Sequence, residues 1–556
     1  MQFRPVFACT GLLGALAWLT LISVQAQTSV SLNGQVSSAE EGAMEGVLVS
    51  AKKDGSNVTT TVVSNTKGEF SFPAGRIEPG KYTITVRAAG YNLGGPKTID
   101  VGAGSGTTAD IKLAKARGIP QLSSAEWLIS VPGDEKFKLA WMTDCINCHT
   151  LQRVFTSPHT PDEWEGVFKR MGLYAPMTVP ARPQMIVTGG ARSERMRVPE
   201  PLIKQAAQYL ADVGVQNPDR SYEFKTLPRP KGRATKVVIT EWDLPRKEAL
   251  VHDVVIDADG QAWYCDFGAQ VVGELNPKTG EVKDYTLPTY RPDQPKGSLD
   301  LELDPDGNLW VGMSYQAGAA KIDRKTKVVT PYPLNKEWVG VTSQTNHITP
   351  TNMHVDGKVW MKDSETRNHY RLDIKTGKWE NVGPPNDANG KSVNGYGIPS
   401  DRNNNVYMLE YSNTRVGRQD AKTLVAQAWA TPSPRSRPRR GRFDDHGRLW
   451  FGEYGANAIG MFDPTTELIK EWKMPTPWSQ PYDAAPTKGG AEVWTGSMLT
   501  DQVARLNTKT DEIVEYLLPR STNIRRVFVD DTSGPLPVLW VGSNHGASIV
   551  RVEPLD

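Results

Sequence analysis

The chain has 556 residues, with 64 lysines and arginines against 62 aspartates and glutamates, for a formal net charge of +2. Interspersed charges of both signs give no basic face for nucleic acid. Four cysteines in a chain of this length exclude a disulfide framework.

The first element is a leader, "MQFRPVFACTGLLGALAWLTLISVQAQT". One arginine precedes an apolar run from Leu12 to Val24, and small residues around Ala26 complete a cleavable signal peptide over 1–26. Export to a periplasm follows. The run is too short to span a bilayer comfortably and no later stretch reaches its length, so no membrane span is predicted.

Residues 29–114 alternate apolar and polar positions in short runs such as "VSLNGQV", "TTTVVS" and "GKYTITVRAAGY", separated by Gly, Asn, Asp and Pro turns. The wording of Gly34-Gln-Val36, Asn65-Thr-Lys-Gly-Glu-Phe70, Ile77-Glu-Pro-Gly-Lys-Tyr82 and Ala89-Gly-Tyr91 resembles the carboxypeptidase regulatory-like domain. That resemblance implies a β-sandwich without catalytic residues, serving as a spacer or docking module.

Residues 120–216 carry "MTDCINCHTLQRV". In an exported chain Cys145-Ile-Asn-Cys148-His149 is the attachment signature of a c-type haem. Two thiols add to the vinyl groups and the histidine binds the iron. The flanking segments predict short helices: Thr160 as N-cap with Pro161 behind it, apolar positions Trp164, Val167, Phe168 and Met171 at helical spacing, and a last helix ending near Gly214. A small all-α cytochrome c domain with one covalent haem is the expectation. Methionine is a common sixth ligand. "EWEGVFKRMGLYAPMT" resembles a segment of small bacterial redox cytochrome domains, which implies Met171, with Met177, then Met196, as alternatives.

From 235 to 556 the chain repeats. Trp263, Trp310, Trp360, Tyr407, Trp450, Trp494 and Trp540 are spaced 47, 50, 47, 43, 44 and 46 apart, mostly after D-x-D-G-like turns. A period near 45 with several short strands per unit predicts a seven-bladed β-propeller. The last unit lacks its outer strand, and "TKVVITEWDLP" at 235–245 supplies it to close the ring. The fold class is therefore multidomain and mainly β.

"LWFGEYGANAIGMFDPTT" resembles the streptogramin (virginiamycin B) lyase family, whose members implies ester opening by elimination with histidine bases and a divalent metal. Glu453 matches the family's glutamate. Arg439 and Tyr396 stand at the positions of the two histidines, which removes the family's bases. His252 and Asp266 repeat the fourteen-residue spacing in another blade and offer a base with an orienting or cation-binding partner. His252, Asp266, Tyr396, Arg439 and Glu453 are the candidate catalytic residues at the propeller mouth, with a divalent cation as a second cofactor. Cys265 reads as a buried small residue.

Three functions follow. The first is an oxidoreductase that binds a small polar substrate and passes electrons through the haem to a periplasmic partner. The second is a non-catalytic electron-transfer or docking protein. The third is a metal-dependent lyase.

Overall fold

In a computed structural model, residues 32–93, 97–102, 106–116, 119, 121–185, 198 and 200–556 are described. The predicted signal peptide and Met196 lie outside them. No helix among the described residues is long and apolar enough to cross a membrane.

The N-terminal strands form a sandwich closed over Val36, Phe70, Phe72, Tyr82, Ile84, Ile111 and Leu113, the inward positions of alternating strands. One sheet is built on Leu32–Ser38 and its partners. The other orders Val58–Val63, Leu48–Lys53, Gly80–Arg87 and Lys97–Val101.

Seven sheets follow around an axis, most of them four-stranded meanders. The aromatic landmarks are buried in all seven. In three blades a D-x-D-G-like turn holds the indole. Asp257 Oδ2 accepts the Trp263 indole N–H at 2.9 Å, and its Oδ1 accepts the amides of Asp259 and Gln261, both at 2.9 Å. Asp304 and Asp444 repeat this for Trp310 and Trp450. Gly260, Gly307 and Gly447 close the turns at φ 73°, 78° and 78°, where a side chain is strained. The fourth blade has only three regular strands, Val406–Glu410, Arg415–Gln419 and Ala426–Ala430. Its innermost segment, which carries Tyr396, runs irregularly and is tied by Tyr396 N–H to Leu409 O at 2.6 Å.

Val237–Asp243 pairs antiparallel with Ser548–Pro554 and completes the last blade. Its other edge pairs with Val58–Val63 of the sandwich, from Val238↔Val62 to Trp242↔Val58. Blade and sandwich thus share one eight-stranded sheet, which leaves neither edge open. The spacer expected from the sequence is instead hydrogen-bonded into the propeller.

Among the described residues five α-helices lie between them: Ser124–Ser130, Glu135–Cys145, Leu151–Phe155, Pro161–Met171 and Ile203–Val213. The predicted cap is in place. Thr160 Oγ1 and Glu163 form a capping box, Pro161 follows, and Gly214 caps the last helix. The expectation of a self-contained all-α domain is corrected by the packing. Trp127, Phe155, Ile146 and Leu210 share one apolar cluster with Tyr454, Tyr482, Met498 and Leu499 of the propeller. Five short helices cannot enclose a core alone, so they close it on the propeller.

Candidate functional site

The innermost strands lose register at one place after another: Val251/Asp253, Leu299/Glu302, Thr345/His347, Pro438/Gly441 and Pro481/Ala484. A bulge lets two consecutive residues leave the in–out alternation. Three polar pairs use this freedom, His252 with Asp253, Arg439 with Arg440 and Tyr482 with Asp483, and a fourth, Arg525 with Arg526, directly precedes the inner strand Val527–Asp530. The first member of each pair faces the helices and the second lies deeper on the axis.

The outer layer is a tyrosine–arginine cage. The Arg439 guanidinium lies 4.3 Å from the ring centroid of Tyr482, 4.9 Å from Tyr396, 5.0 Å from Tyr454 and 5.3 Å from Tyr411. Its Nη1 points at Met498 Sδ at 3.5 Å, and its buried Nε has no hydrogen-bond partner. Among the described residues no carboxylate pairs with it. Tyr396 and Tyr482 share a hydrogen bond between hydroxyls at 2.8 Å, and Tyr482 Oη lies 3.0 Å from His252 Nε2. Arg525 lies over Phe267 and Tyr482 at 5.5 and 5.9 Å and donates to the backbone carbonyl of Asn147, inside the cysteine motif, at 3.0 Å.

The deeper layer is an ion-pair network. Arg440 Nη1 meets Asp300 Oδ1 at 2.8 Å, and Arg526 bonds Asp300, Glu302 at 2.7 Å and Asp483 at 3.2 Å. Asp300 sits at φ 66°, a left-handed conformation that these contacts hold in place.

Burial moves the protonation equilibria. His252 is pushed down to about 4 by burial, which its contact with Asp253 only partly offsets. Burial raises Tyr396, yet the nearby Arg439 and Arg440 outweigh it and leave the phenol below its ordinary value.

Of the five mouth residues named from the sequence, the structure brings His252, Tyr396 and Arg439 together and leaves two elsewhere. Asp266 does not face His252. It pairs with Arg246 and accepts the amides of Leu250 at 3.1 Å and Gly268 at 2.8 Å. The partner of His252 is its neighbour Asp253, at 3.0 Å from Nδ1. In three blades the carboxylate three residues after the landmark, as at Asp266, fastens the loop that enters the blade. Asp363 accepts from the amide of Gln344 and Glu410 from that of Asn394 in the same way. Glu453 is fully buried, and neither of its oxygens has a hydrogen-bond partner. Burial, and then Glu471, pushes its pKa up to about 9. Cys265 is buried, and its thiol donates to Asp253 at 2.9 Å.

Glu453 supports a stability prediction. With a folded pKa near 9 against 4.5, the carboxyl contributes stability below pH 4.5 that is lost as pH rises toward 9. Glu453→Gln is expected to be the more stable protein at pH 7, by about 1–3 kcal/mol. The gap widens with pH in urea titrations, and equal midpoints across this window contradict it.

The motif occupies the junction of helices and propeller. Cys145 ends its helix, and Cys145 and Cys148 are half-buried thiols outside any disulfide. The ring Nδ1 of His149 lies 3.0 Å from the Thr150 carbonyl. Cys145, Cys148 and His149 line one cleft with Phe168, Met171, Tyr174 and Val198. A second cleft behind it joins Cys148 and His149 to Asn544 and His545. Met177, the alternative ligand, is packed against Val179, Leu250, Phe267 and Tyr315 as core between helices and propeller. No group of three or more His, Cys, Asp or Glu among the described residues is placed to hold a metal ion. Asp266, the carboxylate expected to share a cation, is already neutralised by Arg246.

Sequence reasoning missed Tyr482, Tyr411, Tyr454 and Arg440, and placed Arg525 and Arg526 only loosely. The available signal was the polar dipeptide in an inner strand, where alternation allows one polar residue and not two.

The model of the virginiamycin B lyase family matches residues 387–555, and that of the carboxypeptidase regulatory-like domain matches residues 31–114. The propeller is virginiamycin B lyase-like. Comparison with curated proteins gives no match. Among solved structures, selenomethionine-substituted virginiamycin B lyase from Staphylococcus aureus is 21% identical, over 57% of this chain and 100% of that one, with a TM-score of 0.49. A catalytically inactive form of the S. aureus lyase with quinupristin is 20% identical, over 58% and 100%, at 0.48. The extracellular domain of a hybrid two component system from B. thetaiotaomicron is 16% identical, over 56% and 42%, at 0.44. Within the lyase-like propeller the matched segment contains the tyrosine–arginine cage, Tyr396 and Arg439 included.

Proposed function

We propose that this chain is an exported c-type haem protein, an oxidoreductase whose lyase-like propeller holds a small anionic substrate against the haem-binding segment. The observation that carries this reading is the bridge through Arg525, which bonds Asn147 within Cys145–His149 while lying over Tyr482 of the cage. The residues fit the group. Two thiols with two residues between them, a following histidine and an apolar-walled cleft are what covalent attachment requires. Cys145 and Cys148 would hold the haem covalently, and His149 and Met171, on the same cleft, would bind its iron. Bound there, the haem supplies a one-electron acceptor. A periplasmic partner receives the electrons.

The chain's own residues do the rest. Arg439 is a cation without a carboxylate, so an anionic group on the substrate completes its hydrogen bonding. The tyrosine walls exclude water and orient a flat or apolar body. His252 is neutral at neutral pH and able to accept a proton.

The family match over 387–555 supports a second reading, elimination at the same mouth. It would have to proceed without the family's histidines, with a tyrosine–histidine pair as the base. One experiment separates the two. The purified full chain is expected to keep its haem through acid–acetone extraction, to show haem reduction with one member of a panel of small carboxylates, and not to open a streptogramin ring. Freely extracted haem defeats the redox reading, and ring opening establishes the second. Arg439→Leu is expected to weaken binding of that carboxylate by about 1.5–3 kcal/mol, roughly tenfold to a hundredfold in Kd by calorimetry.

A further inference from the structure

Hydrogen bonds continue from the cage through the propeller. Tyr396 Oη meets Tyr482 Oη at 2.8 Å, Tyr482 Oη meets His252 Nε2 at 3.0 Å, and His252 Nδ1 meets Asp253 Oδ2 at 3.0 Å. The polarity is fixed by its end. An ionised carboxylate only accepts, so His252 donates from Nδ1, accepts at Nε2 from Tyr482, and Tyr482 accepts from Tyr396. Asp253 also takes the amide of Asp300 at 3.0 Å and lies 3.5 Å from Arg526 Nε. Asp300 and Arg526 then line a cavity of about 630 Å³ together with Glu302, Ser400, Arg402 and Asp445. Those last residues belong to the hairpin ends of the inner strands, so the cavity opens on the face opposite the helices.

We propose that Tyr396, Tyr482 and His252, oriented by Asp253, form a proton relay that takes a proton from the molecule held at Arg439 and leaves it on His252 Nε2, where the imidazolium is paired with the Asp253 carboxylate. This deepens the redox reading above and rests on it for the identity of the proton donor. The step balances as proton transfer alone. The substrate's proton bonds to Tyr396 Oη as the Tyr396 proton passes to Tyr482 Oη and the Tyr482 proton to His252 Nε2. Three bonds to hydrogen break and three form, and the imidazolium faces the Asp253 carboxylate. Electrons leave separately, through the haem.

Charged groups surround the relay: Asp253 supports the imidazolium, while burial, Arg525 and Arg440 oppose it. Tyr396 faces Arg439, Arg440, Arg525, Tyr482, Tyr411 and His347, a mostly cationic set that stabilises a phenolate. Tyr482 faces the same three arginines, Tyr396 and His252. His252 faces Asp253, Arg440, Arg525, Tyr482 and His347. His347 packs edge-on to Tyr396 at 4.9 Å, with its Nδ1 3.9 Å from Asp300 and neither nitrogen hydrogen-bonded.

The test uses the isosteric variants Tyr396→Phe and Tyr482→Phe in the full haem-loaded chain, so folding is conserved. Near-ultraviolet difference titration of wild type against Tyr396→Phe is expected to show one phenolate forming below the ordinary tyrosine range near pH 10. Tyr482→Phe removes the donor to that phenolate and is expected to shift its formation upward by about one unit or more. In haem reduction, Tyr482→Phe is expected to be about tenfold slower or worse, with a changed pH profile and no change in KM. A Tyr396 that titrates as an ordinary tyrosine and is unmoved by Tyr482→Phe overturns the relay. The titration compares proteins that differ by one hydroxyl and needs no substrate. A chain that shows the coupled titration without haem reduction keeps the relay and loses the redox reading.

Discussion

Cys145→Ser with Cys148→Ser is expected to abolish covalent haem completely, while the propeller and its mouth stay intact. A thioether forms only from a thiol, and the two thiols of the helical segment sit on one cleft with His149. Each single variant is expected to retain one thioether and yield less haem-loaded protein, with an altered haemochrome spectrum. Cys265→Ser is the control. That thiol is buried against Asp253 on an inner strand, is pushed well above its ordinary pKa, and is out of reach of the cleft. Haem content is read from the pyridine haemochrome after acid–acetone extraction. A double variant that still resists extraction refutes the assignment of the clamp. Met171→Ala belongs to the same series. It is expected to keep the covalent haem and change only the axial-ligand spectrum, because Met171 contributes to the wall of the cleft and not to attachment.

The second large effect concerns the junction between sandwich and propeller. Arg87→Ala is expected to destabilise the full chain by about 3–5 kcal/mol. Arg87 Nη2 meets Asp501 Oδ2 at 2.6 Å and its Nη1 donates to the Leu518 carbonyl at 2.7 Å, with both side chains out of solvent. Removing the arginine leaves the Asp501 carboxylate buried with only the Thr522 amide at 2.9 Å. The cost is that of an unpaired charge, more than that of a lost contact. Arg87→Met with Asp501→Asn is therefore expected to recover most of it. Asparagine keeps the turn there, since residue 501 sits at φ 56°. Urea unfolding of the three proteins checks this, and an Arg87→Ala midpoint equal to wild type contradicts it.

These two sites mark what was and was not legible beforehand. The seven-blade repeat was written locally. Each indole, its turn aspartate and its turn glycine lie within ten residues, and the hydrophobic period survives any change in the rest of the chain. The capped helix at Thr160 and the closing strand before Pro245 were legible for the same reason. The union of sandwich and propeller was not. Val58–Val63 and Val237–Asp243 pair through backbone groups, and backbone hydrogen bonds carry no record of the partner strand. The helices likewise showed their apolar faces without showing that Tyr454 and Tyr482 cover them.

The mouth divides along the same line. The chain by itself determined that His252, Tyr396 and Arg439 occupy equivalent places in three blades, because the repeat fixes equivalence. It also fixed the cysteine pair and His149 as a local motif. Only the tertiary structure decided that Tyr482 joins His252 to Tyr396, that Asp253 displaces Asp266 as the histidine's partner, and that Glu453 turns toward Glu471. The physical reason is the bulge. One extra residue per inner strand turns a neighbour toward the axis, and where it falls depends on contacts among seven blades that no single segment contains.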